Sequence, residues 1–318
     1  MQIEQGGARR AQRGARGQAL NAARAVQGVA TGLALGAAGA ALLDLHPSRD
    51  PAGAGLTNGV VSAGGLGLGV LVSSAIVELL PAPRVLPYVV LFALFAVALA
   101  FALRMPEPVE RRSRPRLTPQ RPSVPPAIRR PFVLAALGVI SSWSIGGLFL
   151  SLGPQLLASL FHTSDHLVTG IGVFALAGSG ALAQVLLGRT APWAAAAGGS
   201  LALATGLLVM VAGAAEESSA LFLAGVVIGG AGFGVAFLGA LRALSSVIPH
   251  EHRASVMSAF YVVAYSALSV PAIIAGLLVT PLGLESTFEI FGSVVAALAL
   301  VVALEAWRTR PVLRMATA

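Results

Sequence analysis

The sequence predicts an all-α polytopic membrane protein with about nine transmembrane helices, and three observations carry that expectation. Of 318 residues, 56% are hydrophobic and 11% charged, and the mean hydropathy is +0.83. A soluble domain holds about 45–50% apolar and about 25% charged residues. The apolar residues are gathered into long runs, each of a length that crosses a bilayer. Arginine is sorted between the gaps. Alternate gaps receive Arg49, then Arg104, Arg111, Arg112, Arg114, Arg116, Arg121, Arg129 and Arg130, then Arg189, Arg242, Arg253 and the tail residues Arg308, Arg310 and Arg314. The intervening gaps receive only Arg84, with Asp165, Glu216, Glu217, Glu285 and Glu289. Cationic loops resist translocation and stay cytoplasmic. The expected location is therefore a bacterial inner membrane, multi-pass, with the C-terminus cytoplasmic.

The runs fall at about 18–43, 56–80, 85–103, 132–161, 167–188, 194–215, 219–241, 255–279 and 286–306, close to the roughly 20 residues at 1.5 Å rise that span a hydrocarbon core. They lack the ten-residue alternation of an outer-membrane barrel. Pro47, Asp50 and Pro51 mark the first gap as a turn region. Residues 104–131 carry eight arginines, with seven prolines between Pro106 and Pro126, and are expected to form an extended cytoplasmic linker. The linker separates a three-helix bundle, 18–103, from a six-helix bundle, 132–307. Residues 1–17 are read as a non-native or disordered basic segment and 308–318 as a cytoplasmic tail.

Glycine lies inside these spans. Helices in lipid associate through close packing of small residues, so Gly28, Gly32, Gly64, Gly65, Gly229 and Gly232 are expected at helix–helix contacts. A nucleotide loop at Gly230–Gly234 is the weaker reading, since no strand precedes it and no Lys-Ser/Thr follows.

The net charge of +8 sits on loops of one face, which favours anionic lipid headgroups over nucleic acid as partner. Cysteine is absent, so thiolate metal sites and cysteine nucleophiles are absent with it. His250-Glu251-His252 lacks the spacing that puts two histidines on one zinc-binding helix face, and Gly178-Ser179-Gly180 lacks that of a hydrolase elbow. Neither enzyme activity nor a cofactor is expected.

The stretch from Leu20 through Arg24, Gln27 and Gly28 resembles a signature of the major facilitator superfamily. That signature lies on the fourth of twelve helices and reads leucine, three variable residues, arginine, two variable residues, glutamine, glycine. In that register the third run corresponds to the family's sixth helix, and the Arg-rich linker falls where the family joins its two halves. Tyr265 through Pro271 to Gly276 is similar to the eleventh helix of drug-efflux-type members. The fifth-helix Gly-Pro pair of the antiporters is replaced by Ala63-Gly64-Gly65. The first three helices have no counterpart. Nine spans with an inside tail would leave Arg9, Arg10, Arg13 and Arg16 outside, so an N-terminally truncated chain is expected.

The resemblance implies a secondary active transporter of a small organic solute, working by alternating access and driven by an ion gradient, a proton among the candidates, or by a substrate gradient. The eleventh-helix likeness favours efflux, while the missing Gly-Pro pair counts against drug:proton antiport. A transport-inactive remnant or a membrane interaction protein is the alternative. Substrate or coupling candidates are Arg24, Gln27, Trp143, Gln155 and Tyr265. Arg24 is either a coupling charge or the flank of a first span, and Gln27 either a ligand contact or a helix–helix bond. Gln155 follows Pro154, where a broken backbone exposes carbonyls; Trp143, at mid-span, reads as an aromatic pocket wall. Glu78 is either a proton carrier or an interfacial group. Arg49, Arg189, Arg242 and Arg253 are gate or anchoring charges on the cytoplasmic loops, and Pro271 shapes helix packing.

Overall fold

A computed structural model of the chain describes residues 17–18, 21–34, 37–38, 41–42, 51–105 and 121–309, and no strand occurs among them. Helix α1 is described over 21–34. The helices that follow are α2 (Pro51–Leu79), α3 (Leu86–Ala102), α4 (Arg129–Leu160), α5 (His166–Leu187), α6 (Pro192–Ala215), α7 (Ser219–Ser245), α8 (Arg253–Leu282) and α9 (Leu284–Arg308). The fold is all-helical, as the composition requires. Among the described residues seven helices are long and apolar enough to cross a membrane, and α3, with 17 residues, is a shorter apolar helix. At 1.5 Å per residue α3 reaches about 25 Å, slightly less than a hydrocarbon core of about 30 Å.

The chain divides into two compact units, Met1–Asn58 and Gly59–Ala318. In the first, α1 is exposed along its described length, and near the start of α2 the Thr57 hydroxyl donates to the Gly53 carbonyl at 2.9 Å.

The second unit is a bundle whose helices start and stop for local reasons. Asp165 caps α5, its Oδ1 accepting from the amides of Leu167 (2.7 Å) and Val168 (3.3 Å). Ser218 caps α7 by accepting from Leu221 N–H. Pro192 opens α6, where its missing N–H is no loss. Gly283, at φ 85°, makes the turn between α8 and α9, a left-handed conformation that a side chain would oppose.

Glycine sets the packing of the bundle. Along α6 and α7 the pairs Ala196–Gly239, Gly199–Ala236, Leu203–Gly232, Gly206–Gly229 and Gly213–Phe222 meet in antiparallel register, and a methyl group added at any of these glycines except Gly229 would collide with partner backbone. Gly229 instead lies within van der Waals reach of Gly206 and Ile145. Along α5 and α7, Leu176 faces Gly230 and Gly180 faces Gly234, in parallel register. The expectation for Gly229 and Gly232 thus falls on the closest seam. Gly28, Gly32, Gly64 and Gly65 do not: each has open space where a side chain would go. On α2 the close approaches are at Gly59, which faces Gln184, and Gly67, which faces Ala177 and Phe174. An apolar helix without a polar face gives no signal of which side packs.

The core between these seams is aromatic and aliphatic: Phe149, Phe222 and Phe288 are fully buried, with ring centroids 6.2 and 5.6 Å apart in sequence order. The alternating directions of α4 to α9 gather Arg129, Arg130, Arg189, Arg242, Arg253 and Arg308 at one end. Asp165, Glu216, Glu217 and Glu285 gather at the other. Trp193 and Trp307 meet edge-on at 5.8 Å at the arginine-bearing end.

Candidate functional site

Two of the residues singled out from the sequence meet at mid-span. The Trp143 ring on α4 contacts Tyr265 on α8 edge-on at 5.2 Å and Phe237 on α7 at 5.5 Å. Phe237 stacks on Phe260 at 6.2 Å, and Phe260 meets Tyr261 at 5.9 Å. Three helices therefore contribute to one aromatic group. Edge-on and offset contacts suit rings whose faces are negative and edges positive. Tyr265 remains 40% exposed, while the indole Nε1–H of Trp143 is buried and has no partner. A buried donor without an acceptor costs about 1–3 kcal/mol, so this N–H is poised to gain from any acceptor placed against it.

The group lies beside a missing backbone hydrogen bond in the otherwise continuous helix α8. Pro271 has no N–H, so the carbonyl four residues earlier, that of Ala267, loses its helical partner. The Ser144 hydroxyl, next to Trp143 on α4, donates to this carbonyl at 3.3 Å. Gly147, one turn on, lies against the Leu268 carbonyl so closely that no side chain would fit. Proline on α8, serine and glycine on α4 thus form one joint, and Trp143 and Tyr265 flank it. The neighbouring Ser141 and Ser142 are satisfied within α4, donating to the Gly138 and Val139 carbonyls.

The other candidates lie elsewhere. Gln155 is exposed and, twelve positions along α4, about 18 Å from Trp143. In the first unit Arg24 Nη1 donates to Gln27 Oε1 at 3.3 Å on an exposed helix. Arg49 lies outside the described residues. Arg242 anchors a turn, donating to the carbonyls of Gly188 (2.7 Å) and Thr190 (2.9 Å). A cation at the C-terminal end of α5 also complements the helix dipole. Arg189 is exposed on that turn and Arg253 half-buried at the start of α8. A cavity of about 30 Å³ near the arginine-bearing end is lined by Gly138, Ser200, Ala240 and Ala306 among others, with room for water and not for a solute. Among the described residues no cluster of three metal-binding side chains occurs.

Sequence reasoning missed Phe237 and Phe260, which look like any lipid-facing phenylalanine, and Ser144, whose role depends on a proline 127 positions away. A proline inside an apolar run was the available signal: it frees a carbonyl that some neighbouring hydroxyl must satisfy.

No curated protein and no solved structure matches this chain. The family model of the Major Facilitator Superfamily matches residues 17–270, which include the Arg24–Gly28 motif, the linker and the helices that bear Trp143, Phe237 and Tyr265. The chain belongs to the Major Facilitator Superfamily and is a multi-pass membrane transporter.

Proposed function

We propose that the chain moves a small organic solute out of a bacterial cell by alternating access across the inner membrane, with the arginine-bearing end and the C-terminus cytoplasmic, and with a proton as the coupling ion. The observation that carries the solute site is the Trp143–Tyr265 pair: two rings in edge contact at mid-span, with a buried indole N–H that lacks an acceptor. Apolar walls with a few placed polar groups are the usual make-up of a small-molecule site. A ring-bearing solute with one acceptor atom satisfies both parts of this one. The proline in α8 supports the mechanism, because a helix that lacks one backbone bond, here replaced by the Ser144 hydroxyl, bends at lower cost than one with all its bonds.

The test is flux in proteoliposomes made with the full chain, using a planar aromatic dye whose fluorescence reports its concentration. Dye movement driven by an imposed proton gradient, and lost in Trp143→Ala, supports the reading. Absence of any gradient-driven movement, across dyes that carry an acceptor, contradicts it.

A further inference from the structure

The end of the bundle opposite the arginines holds one polar tie that solute binding does not use. Glu78, in the last turn of α2, and His166, the first residue of α5, are 88 positions apart. Glu78 Oε2 accepts from the His166 backbone N–H at 3.1 Å and lies 3.0 Å from the imidazole Nδ1. The pair closes a seam that runs the length of both helices in antiparallel register: Gly59 faces Gln184, Gly67 faces Ala177, Ser74 faces Gly170, and Glu78 faces His166. The first three are close approaches, each with a glycine on one side and no directional bond, and Gln184 Oε1 is buried without a partner. In sequence, the seam joins a helix that precedes the Arg-rich stretch to one that follows it.

The chemistry of this corner turns on one proton. Glu78 and Asp165 together occupy the first amides of α5, where the helix dipole attracts negative charge. The other charged or titratable groups at this corner are His162, in the turn after α4, and Arg84, in the turn after α2, both exposed. Histidine is the side chain suited to change charge near neutrality. With the ring protonated, Nδ1 donates to a carboxylate as half of an ion pair. With the ring neutral, the contact survives only in the tautomer that keeps the Nδ1 proton, and the other tautomer sets a lone pair against an anion.

We propose that Glu78 and His166 form a proton-binding clasp: taking up a proton at His166 draws the ends of α2 and α5 together, and releasing it lets the seam open from this end. The clasp is a site for protons distinct from the aromatic group. Its readout is a distance, so the clasp stands or falls independently of solute transport.

The chain has no cysteine, so nitroxide labels on Leu79→Cys and Leu167→Cys report this seam alone. Electron–electron resonance on the full chain in lipid nanodiscs is measured on the acid and alkaline sides of neutrality. The expected result is a short distance that dominates in acid and a longer population that grows about fivefold relative to it in alkali, the size an exposed ion pair supports. His166→Gln, which keeps the backbone N–H to Glu78 but has no proton to gain, gives the same distribution at both conditions, and His166→Arg, which keeps a charge, gives the short distance at both. Glu78→Gln removes the pH response, with unchanged helical circular dichroism as the check on folding. A distribution that does not respond to pH overturns the clasp, as does a response that survives in His166→Gln.

Discussion

At Trp143 the account rests on one hydrogen atom. If the buried Nε1–H is the polar contact for the solute, Trp143→Phe keeps the ring and loses the bond. The expected effect is a KM about tenfold higher with kcat little changed, which is the net worth of one hydrogen bond; initial rates of dye flux measure it. Ser144 makes a separate prediction. Ser144→Ala leaves the Ala267 carbonyl without its donor, and unfolding should become easier by about 1–3 kcal/mol. Pro271→Ala restores an N–H to α8 and supplies that carbonyl from within the helix. The double variant should therefore lose little beyond Pro271→Ala alone, and a double-mutant cycle on unfolding in detergent measures the coupling. Additive losses would mean that Ser144 and Pro271 do not share the carbonyl.

The seam between α6 and α7 makes the sharpest structural prediction among the helices. Gly206→Leu forces a side chain into Gly229 backbone, and the bundle should not assemble. Gly198, eight residues earlier on the same helix, has open space, so Gly198→Ala should fold as well as the parent or gain up to about 1 kcal/mol from better helix propensity. Expression as a monodisperse species in size-exclusion chromatography separates the two. The existence of these helices was readable from composition and run length, because a 20-residue apolar stretch has few other fates. Their ends were less so. The runs at 132 and 255 begin within their helices, at Arg129 and Arg253, and the run ending at 241 continues to Ser245 because Arg242 finds carbonyls to bond. Polar residues in a terminal turn look like loop until their partners are seen. Which glycines pack was readable on α7, where they are dense, and not on α2, where Gly59 and Gly67 make contact and Gly64 and Gly65 face open space. Trp143 stood out alone as a mid-span aromatic, and Tyr265 separately as a candidate substrate contact. Their meeting, the addition of Phe237, and the pairing of Glu78 with His166 depend on helix register, which no local pattern in the chain encodes.

For the molecule as a whole, charge sorting is the organising fact. Arg189, Arg242, Arg253 and Arg308 share one end of the second unit, and Asp165, Glu216, Glu217 and Glu285 share the other. Moving a guanidinium to the bilayer centre costs about 2.5–3.5 kcal/mol by insertion scales, which is the ground for the proposed orientation with the arginine-bearing end inside. On that proposed orientation the Glu78–His166 corner lies outside. Single cysteines test it most directly, since the native chain supplies none. Thr190→Cys and Glu216→Cys, each in intact cells, are exposed to a membrane-impermeant maleimide before and after lysis. The account predicts labelling of Glu216→Cys in intact cells and of Thr190→Cys only after lysis; the reverse pattern would contradict it.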